Sequence, residues 1–246
     1  MIHTSKADTR RKVSRGPFTS RFLPLGRLLP DWNDHGLAQI GRLEHATLEA
    51  GALVPMHMHQ NEEILSYLRK GTMHHKDSDE NDLGIHNKQF MLMNAGSGIY
   101  HEEGVREGDE TVEMLQIFIR PKTDGLEPKI QFYEPEETFS RNQWRLLAGF
   151  ERSEAPMKFR SEVLFYDVHL EKDHALQTPD LNGNTGLLYI FNGNITIKNT
   201  GETVEKGDSI VIKDVQLNLK SSRDSDLVFF DLDEVAPFSR NGLFAK

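Results

Sequence analysis

The 246-residue sequence contains no cysteine, which excludes disulfide bonds, thiolate metal sites, iron–sulfur clusters and cysteine nucleophiles. It also lacks any apolar run near the ~18–20 residues that a membrane-spanning helix needs. Its 29 lysines and arginines are outnumbered by 38 aspartates and glutamates, so the formal net charge is −9. Without a long apolar run, a membrane is not expected as a partner. A nucleic acid is not expected either, because its phosphates bind clustered basic residues and this chain is acidic overall. We expect a cytoplasmic protein.

One stretch departs from this acidic balance. Between Met1 and Pro30 the only acidic residue is Asp8, against seven basic residues: Lys6, Arg10, Arg11, Lys12, Arg15, Arg21 and Arg27. The stretch lacks the apolar segment of a secretory signal, although its arginines and serines loosely resemble a transit peptide. We interpret residues 1–30 as a basic N-terminal arm that packs over a neighbouring acidic surface.

Short segments with period-two alternation recur along the chain, whereas long helical periodicity is scarce. The predicted strands cover residues 43–48, 64–68, 112–119, 163–170, 187–191, 195–198, 209–212 and 227–232. Turns rich in glycine and asparagine separate them, including one predicted at residues 192–194. The pattern predicts an all-β fold of jelly-roll sandwich or barrel type. Residues 142–148 are the exception, since they resemble a short helix or an irregular crossover.

A weak internal repeat predicts two such β units in one chain. Residues 67–73 resemble residues 189–195, and a further strand follows each of these segments. A linker rich in proline and glutamate lies between them, around residues 134–137. We therefore predict an N-terminal metal-binding unit over residues 31–135 and a C-terminal unit over residues 136–246.

Histidine is the most informative residue type, because six of the eleven histidines fall between His57 and His101. His57 and His59 are two residues apart, as are His101 and Glu103. Residues i and i+2 of a strand share one face, so the four side chains converge if both strands face the same interior. Three imidazoles and one carboxylate suit a divalent transition metal and leave positions open for a substrate.

The surrounding residues resemble the cupin motifs. The first motif, with its H-x-H pair, is carried by Gly51, His57, His59, Glu63 and Gly71. The end of the second motif is matched by Gly98 and His101. The resemblance implies that each unit is a double-stranded β-helix barrel. Because Glu63 occupies the usual cupin carboxylate position, either Glu63 or Glu103 can be the fourth ligand.

The same region resembles the pirin family more specifically. The blocks that carry the resemblance are residues 57–67, 71–78, 89–103 and 116–119. The first reads H-x-H followed by E-I-L-x-Y, and the third ends in A-G-x-G-I-x-H-x-E. The resemblance is specific over residues 55–128. It is fainter over the C-terminal half, which looks like the degenerate second cupin of that family.

The pirin resemblance implies that His57, His59, His101 and Glu103 bind one metal ion, while Glu63 becomes a cavity residue. Iron(II) is the first expectation, with zinc, nickel, manganese and copper as alternatives. The implied activity is that of a quercetin 2,3-dioxygenase, which acts on a flavonol or related phenolic substrate and O2. Glu103 would be the base that accepts the substrate's hydroxyl proton.

Two other functions stay open at this point. The first is a non-catalytic iron-binding protein that acts as a redox-sensitive partner of a transcription factor or a metabolic enzyme. The second is a metal-dependent isomerase or hydrolase on the same scaffold, which needs only a redox-inert metal such as zinc. The identity of the metal and the consumption of oxygen would distinguish the three functions.

Overall fold

The computed structural model describes residues 1–9, 12–28 and 34–245, so Arg10, Arg11 and Pro30 of the predicted arm lie outside the described residues. This part of the chain forms twenty strands and two short 3₁₀ turns, Ala7–Thr9 and Leu25–Arg27, without an α-helix. The all-β prediction is confirmed. Among the described residues, no helix is long and apolar enough to cross a membrane. The cytoplasmic location stays a prediction.

The N-terminal half is a barrel built from two sheets. The first twelve strands of the chain are β1 (Ile2–Ser5), β2 (Lys12–Arg15), β3 (Phe18–Phe22), β4 (Ile40–Leu48), β5 (Leu53–His59), β6 (Glu63–Lys70), β7 (Thr72–Asp77), β8 (Asp82–His86), β9 (Phe90–Asn94), β10 (Ile99–Gly104), β11 (Val112–Ile119) and β12 (Lys129–Tyr133). A seven-stranded sheet has the order β12-β9-β6-β11-β4-β3-β2, and a four-stranded sheet has the order β5-β10-β7-β8. Ala46, Leu68 and Met114 belong to the apolar core of this half.

The C-terminal half is a second barrel with its own core. Its strands are β13 (Arg145–Phe150), β14 (Met157–Phe159), β15 (Val163–Leu170), β16 (Ala175–Gln177), β17 (Thr185–Ile197), β18 (Thr203–Glu205), β19 (Ser209–Lys213) and β20 (Asn218–Leu232). They form a sheet with the order β1-β19-β17-β20-β15-β13-β14, in which β16 pairs with β20 and β18 with β17. Leu188, Ile195 and Leu219 belong to this second core.

The most extensive apolar cluster among the described residues joins the two halves. It contains Leu65 and Tyr67 of β6 together with Phe165 of β15 and Phe230 of β20. The ring centroids of Tyr67 and Phe165 are 5.6 Å apart. Burial of this shared apolar surface makes the C-terminal half a support for the barrel that carries the histidines.

Two local predictions are wrong. Residues 142–148 form no helix, because the chain enters β13 at Arg145 and pairs with β15. The turn predicted at residues 192–194 lies inside β17, whose pairing with β20 shifts register between Ile190 and Ile195. Gly193 has φ 104°, and a Cβ there would lie 2.0 Å from Ser225 Oγ. The glycine therefore permits a bulge in a continuous strand rather than a turn.

The described part of the first thirty residues contacts both halves. Strand β1 pairs with β19 of the C-terminal half, whereas β2 and β3 extend the seven-stranded sheet of the N-terminal half. Lys6 lies beside two acidic residues of the C-terminal half, with its Nζ 3.0 Å from Asp208 Oδ2 and 3.5 Å from Glu202 Oε1. The boundaries at residues 30 and 135 stay a prediction.

A buried charged cluster also joins the halves. The fully buried carboxylate of Asp167 on β15 accepts two hydrogen bonds from Arg145, at 2.9 and 2.8 Å, and one from the Tyr67 hydroxyl at 3.3 Å. Arg69 at the end of β6 forms an ion pair with Asp226 of β20. Tyr67 and Arg69 come from the N-terminal half, whereas Arg145 pairs with Asp167 inside the C-terminal half, so the cluster holds Asp167 in place and joins the two barrels through β6.

Replacing Asp167 with asparagine is expected to lower the free energy of unfolding by about 3 kcal/mol, because the Arg145 guanidinium loses its buried carboxylate partner. Urea denaturation followed by fluorescence measures the change. The control is Glu162→Gln, which removes an ion pair to the exposed Arg152 and should change stability by less than about 0.5 kcal/mol. Equal effects of the two substitutions would contradict the role given to the cluster.

A second polar contact between the halves titrates in acid. Glu113 of β11 accepts a hydrogen bond from His45 Nε2 at 2.9 Å and pairs with Lys206 of the C-terminal half. Burial raises the pKa of Glu113, but the hydrogen bonds from His45 and Lys206 outweigh burial and lower the pKa to about 2. The ionised carboxylate is therefore more stable in the folded chain than in the unfolded chain.

Glu113 is expected to contribute stability that is present above its ordinary pKa of 4.5 and is lost as the pH falls towards 2. The Glu113→Gln variant lacks this contribution, so its melting temperature should fall less steeply than that of the wild type between these pH values. Circular dichroism melts across the range measure both slopes. If the melting temperatures of the wild type and the variant fall equally with pH, the pKa of Glu113 is the same in the folded and the unfolded chain, and the prediction is wrong.

Candidate metal centre

Three neighbouring strands of the four-stranded sheet carry the histidine cluster. His57 of β5 lies directly opposite His101 of β10, and β7 lies on the other side of β10. His59, His101 and Glu103 are buried, whereas Tyr100, which precedes His101 on β10, is 49% exposed. The strand alternation expected from the H-x-H and H-x-E spacings therefore places these side chains on the interior face.

A close approach of two turns brings the histidine strands together. Asn61, in the turn after β5, has φ 53°, and its N–H donates to the Gly96 carbonyl at 2.8 Å. Gly98, just before β10, has φ 145°, and a Cβ there would lie 2.5 Å from Met58 Cε. Glycine adopts this backbone conformation without steric cost, whereas a residue with a Cβ would be strained there and would displace the end of the Met58 side chain. The sequence A-G-x-G-I-x-H thus has a structural role in positioning His101.

The ring nitrogens of the three histidines converge on one point. His57 Nε2 is 3.0 Å from His59 Nε2 and 3.1 Å from His101 Nε2. Two ligands that lie ~2.1 Å from a common ion, at right angles to each other, are separated by ~3.0 Å. His57 Nε2 is therefore spaced from each of the other two nitrogens like neighbouring ligands of one ion, and ligand atoms of all three residues lie within 4.8 Å of one another.

The hydrogen bonds of two rings direct their lone pairs at each other. His57 Nδ1 donates to the Pro55 carbonyl at 2.9 Å, and His59 Nδ1 donates to the Glu62 carboxylate at 2.5 Å. Each neutral ring then carries its proton on Nδ1 and a lone pair on Nε2. Two lone pairs 3.0 Å apart repel each other unless a cation lies between them. The arrangement is that of a metal site.

His101 completes the set in its neutral form. Burial, together with the neighbouring His59, His57 and His75, lowers the pKa of His101 to about 2. A neutral imidazole is the form that binds metal ions. His101 therefore needs no deprotonation to act as a ligand at physiological pH.

Glu103 lies beside His101, on the side of the ring that carries Nδ1, and groups with His75 and His101 rather than with His57 and His59. Its Oε1 is 3.8 Å from His101 Nδ1, and its Oε2 accepts a hydrogen bond from Gln116 Nε2 at 2.8 Å. Oε1 is buried and has no hydrogen-bond partner among the described residues. A buried carboxylate oxygen without a donor is costly, so this atom is suited to a cation or to a proton from a ligand.

A second histidine–carboxylate pair supports the cluster from β7. His75 and Asp77 are both buried, and His75 Nε2 is 2.7 Å from Asp77 Oδ2. The ring of His75 lies 5.4 Å from that of His101, and its Nδ1 has no partner within the described part of the chain. His75, His101 and Glu103 thus form a second group of potential ligands.

The alternative carboxylate, Glu63, contacts the C-terminal half. It accepts the Arg160 backbone N–H at 3.0 and 2.9 Å and a hydrogen bond from Asn94 Nδ2, and it lies 3.4 Å from Ser161 Oγ. Burial raises the pKa of Glu63 to about 7. The contacts of Glu63 thus join the two halves, and its neighbour Glu62 contacts His59.

Sequence reasoning missed Glu62, which is fully buried. Besides His59, its carboxylate accepts the backbone N–H groups of Phe244 at 2.8 Å and Ala245 at 2.9 Å. Its position three residues after His59 was a usable signal, because buried metal-binding histidines usually donate their second ring N–H to a carboxylate or a carbonyl. No local pattern could reveal Phe244 and Ala245, which lie more than 180 positions away in the chain.

Replacing Glu62 with glutamine is expected to weaken metal binding about 10- to 100-fold, because an amide N–H would face the His59 N–H. Competition of zinc(II) against a chromophoric chelator measures the affinity. Glu63→Gln is the matched control, since it alters the adjacent buried carboxylate, and it should keep the wild-type affinity. Loss of affinity only in Glu63→Gln would reverse the choice between the carboxylates.

Comparisons with known proteins identify relatives along most of the chain. The Pirin model matches residues 29–119, and the model of the quercetinase C-terminal cupin domain matches residues 146–232. Quercetin 2,3-dioxygenase of Escherichia coli (strain K12) is 27% identical over 236 residues, which cover 96% of this chain and 100% of that protein.

Two solved structures have the same architecture. The crystal structure of YhhW from Escherichia coli matches with a TM-score of 0.83 at 25% identity, covering 96% of this chain and 99% of that one. The structure of bacterial pirin YhhW in complex with nickel(II) matches with a TM-score of 0.81 at 24% identity, covering 96% and 100%. With family models matching both halves, the chain belongs to the pirin family of cupin proteins.

Proposed function

We propose that this protein is a metal-dependent dioxygenase that opens the heterocycle of a flavonol or a related phenolic substrate. The proposed ligands of the metal are His57, His59, His101 and Glu103. The observation that carries the proposal is the convergence of the His57 and His59 lone pairs at 3.0 Å, with His101 Nε2 3.1 Å from His57 Nε2. We propose iron(II) as the metal, with nickel, zinc, manganese and copper as alternatives that suit the same donors.

The relatives support both parts of this proposal. The Escherichia coli relative is named a quercetin 2,3-dioxygenase, and a pirin of the same architecture is described in complex with nickel(II). Three neutral imidazoles and one carboxylate leave a divalent ion with net positive charge. A bound metal of this kind supplies a Lewis acid that lowers the pKa of a hydroxyl group and a site at which O2 can react.

Within the chain, Glu103 is suited to accept the substrate's proton. Its Oε1 is buried and meets no hydrogen-bond donor from the residues that the structure describes, and Gln116 holds the other carboxylate oxygen at 2.8 Å. A carboxylate held in this way can take up the proton of a phenolic hydroxyl beside the metal site. In the proposed reaction two carbon–carbon bonds of the heterocycle break, both atoms of O2 enter the ring-opened ester, and one carbon leaves as carbon monoxide.

The proposal is tested by oxygen uptake of anaerobically purified, iron-loaded protein after addition of quercetin, with carbon monoxide measured in parallel. We expect one O2 consumed and one carbon monoxide released for each flavonol. His57→Ala is expected to lose most of the metal, and the rate should fall by at least about 100-fold, while circular dichroism shows the barrel still folded.

Each other outcome points to a different function. Full metal content in His57→Ala would contradict the ligand assignment. Stoichiometric iron without oxygen uptake would contradict the dioxygenase and favour the non-catalytic iron-binding partner. Stoichiometric zinc in the purified protein, with activity that needs no oxygen, would favour an isomerase or a hydrolase.

A further inference from the structure

The wall of the metal centre nearest to solvent comes from the far end of the described chain. After β20 the chain returns to the N-terminal barrel, where the Ser239 N–H donates to the Pro121 carbonyl at 2.8 Å. The fully buried Arg120 donates from Nε to the Ala245 carbonyl at 3.0 Å and pairs with Asp34 at 2.7 and 2.8 Å. Residues 238–245 are therefore fixed against the N-terminal barrel by specific hydrogen bonds.

The fit of this segment is close. Ala245 is fully buried, and a Cβ on Gly41 would lie 2.6 Å from Ala245 Cα. A Cβ on Gly242 would lie 3.0 Å from Glu62 Oε2, the oxygen that accepts the N–H groups of residues 244 and 245. Glycine at both positions lets the segment approach the barrel and the carboxylate beneath His59.

This docking places the ring of Phe244 against the metal centre. The Phe244 centroid is 4.9 Å from that of His59, 6.4 Å from His57 and 6.1 Å from Phe118. Phe118 is buried, whereas Phe244 remains 41% exposed. Phe244 is thus an aromatic ring that rests on a candidate ligand and still presents part of its surface to an incoming molecule.

A cation lies beside this ring. The guanidinium carbon of Arg42 is 5.9 Å from the Phe244 centroid and 5.5 Å from the Phe118 centroid, and Arg42 forms an ion pair with Glu44. A positive charge next to two aromatic faces favours an electron-rich or anionic aromatic ligand, such as an ionised phenol. An aliphatic ligand has no ring to stack against Phe244.

We propose that Phe244 is a specificity-determining residue that stacks against a flat aromatic ring of the molecule bound at the metal centre. The inference rests on the proposed function, because it requires a ligand beside the three histidines. It goes further by naming a contact outside the metal donors that selects aromatic over aliphatic ligands. The selection is supplied by a segment that follows the second barrel.

The test compares two chelators on nickel(II)-loaded full-length protein in the absence of oxygen. Catechol is a flat aromatic chelator, and acetohydroxamate is an aliphatic one. We expect Phe244→Ala to weaken catechol binding about three- to tenfold, as loss of one aromatic stack predicts, and to leave acetohydroxamate binding unchanged. Phe244→Leu should resemble Phe244→Ala, and Phe244→Tyr should resemble the wild type. Calorimetry gives the affinities, and elemental analysis confirms equal nickel content.

The control is Phe132→Ala, which removes a phenylalanine that is 36% exposed on β12, and it should change neither affinity. An equal loss for both chelators in Phe244→Ala would overturn the proposal, since the ring would then serve only the metal centre. Unchanged or tighter catechol binding would also overturn it, as would a wild type that binds neither chelator. If Phe244→Ala weakens only catechol binding, as expected, but the wild type consumes no oxygen with quercetin, the dioxygenase is refuted and this inference stands.

Discussion

The arrangement of the candidate site depends on one electrostatic constraint, the opposed lone pairs of His57 and His59. The Pro55 carbonyl and the Glu62 carboxylate each accept a hydrogen bond from the Nδ1–H of one ring, which leaves Nε2 of both rings as acceptors 3.0 Å apart. Repulsion between these atoms is relieved by a cation. The neutral His101 faces the same point, and the buried Oε1 of Glu103, 3.8 Å from His101 Nδ1, has no donor in the described part of the chain.

The rest of the molecule holds these groups in place against that repulsion. The four-stranded sheet supplies the strands, and the C-terminal half buries the opposite side of the N-terminal barrel through Tyr67 and Phe165. The backbone N–H groups of residues 244 and 245 donate hydrogen bonds to Oε2 of Glu62. The carboxylate that supports His59 is therefore itself held by backbone that follows the second barrel. The site is thus a product of the whole chain, although the candidate metal donors all lie within residues 57–103.

Much of this could be predicted from the sequence, for physical reasons that are local. Strand alternation suffices to place His57, His59, His101 and Glu103 on interior faces, because residues two apart point the same way. Alternation could not distinguish the roles of Glu62 and Glu63. Glu62 is the last residue of the turn and Glu63 is the first residue of β6, so strand periodicity does not yet apply to Glu62. It also failed at Gly193, where a turn and a bulge share the same glycine requirement. The contacts of Phe244 depend on a chain return that no local pattern encodes.

The most direct test of the metal centre is anomalous diffraction from crystals of the metal-loaded protein, collected on both sides of the absorption edge of the metal. The account predicts a single strong peak about 2.1 Å from Nε2 of His57, His59 and His101, with a carboxylate oxygen of Glu103 in the coordination shell. A peak beside Glu63, a peak elsewhere on the chain, or three histidines without a peak in protein that retains its metal would contradict it.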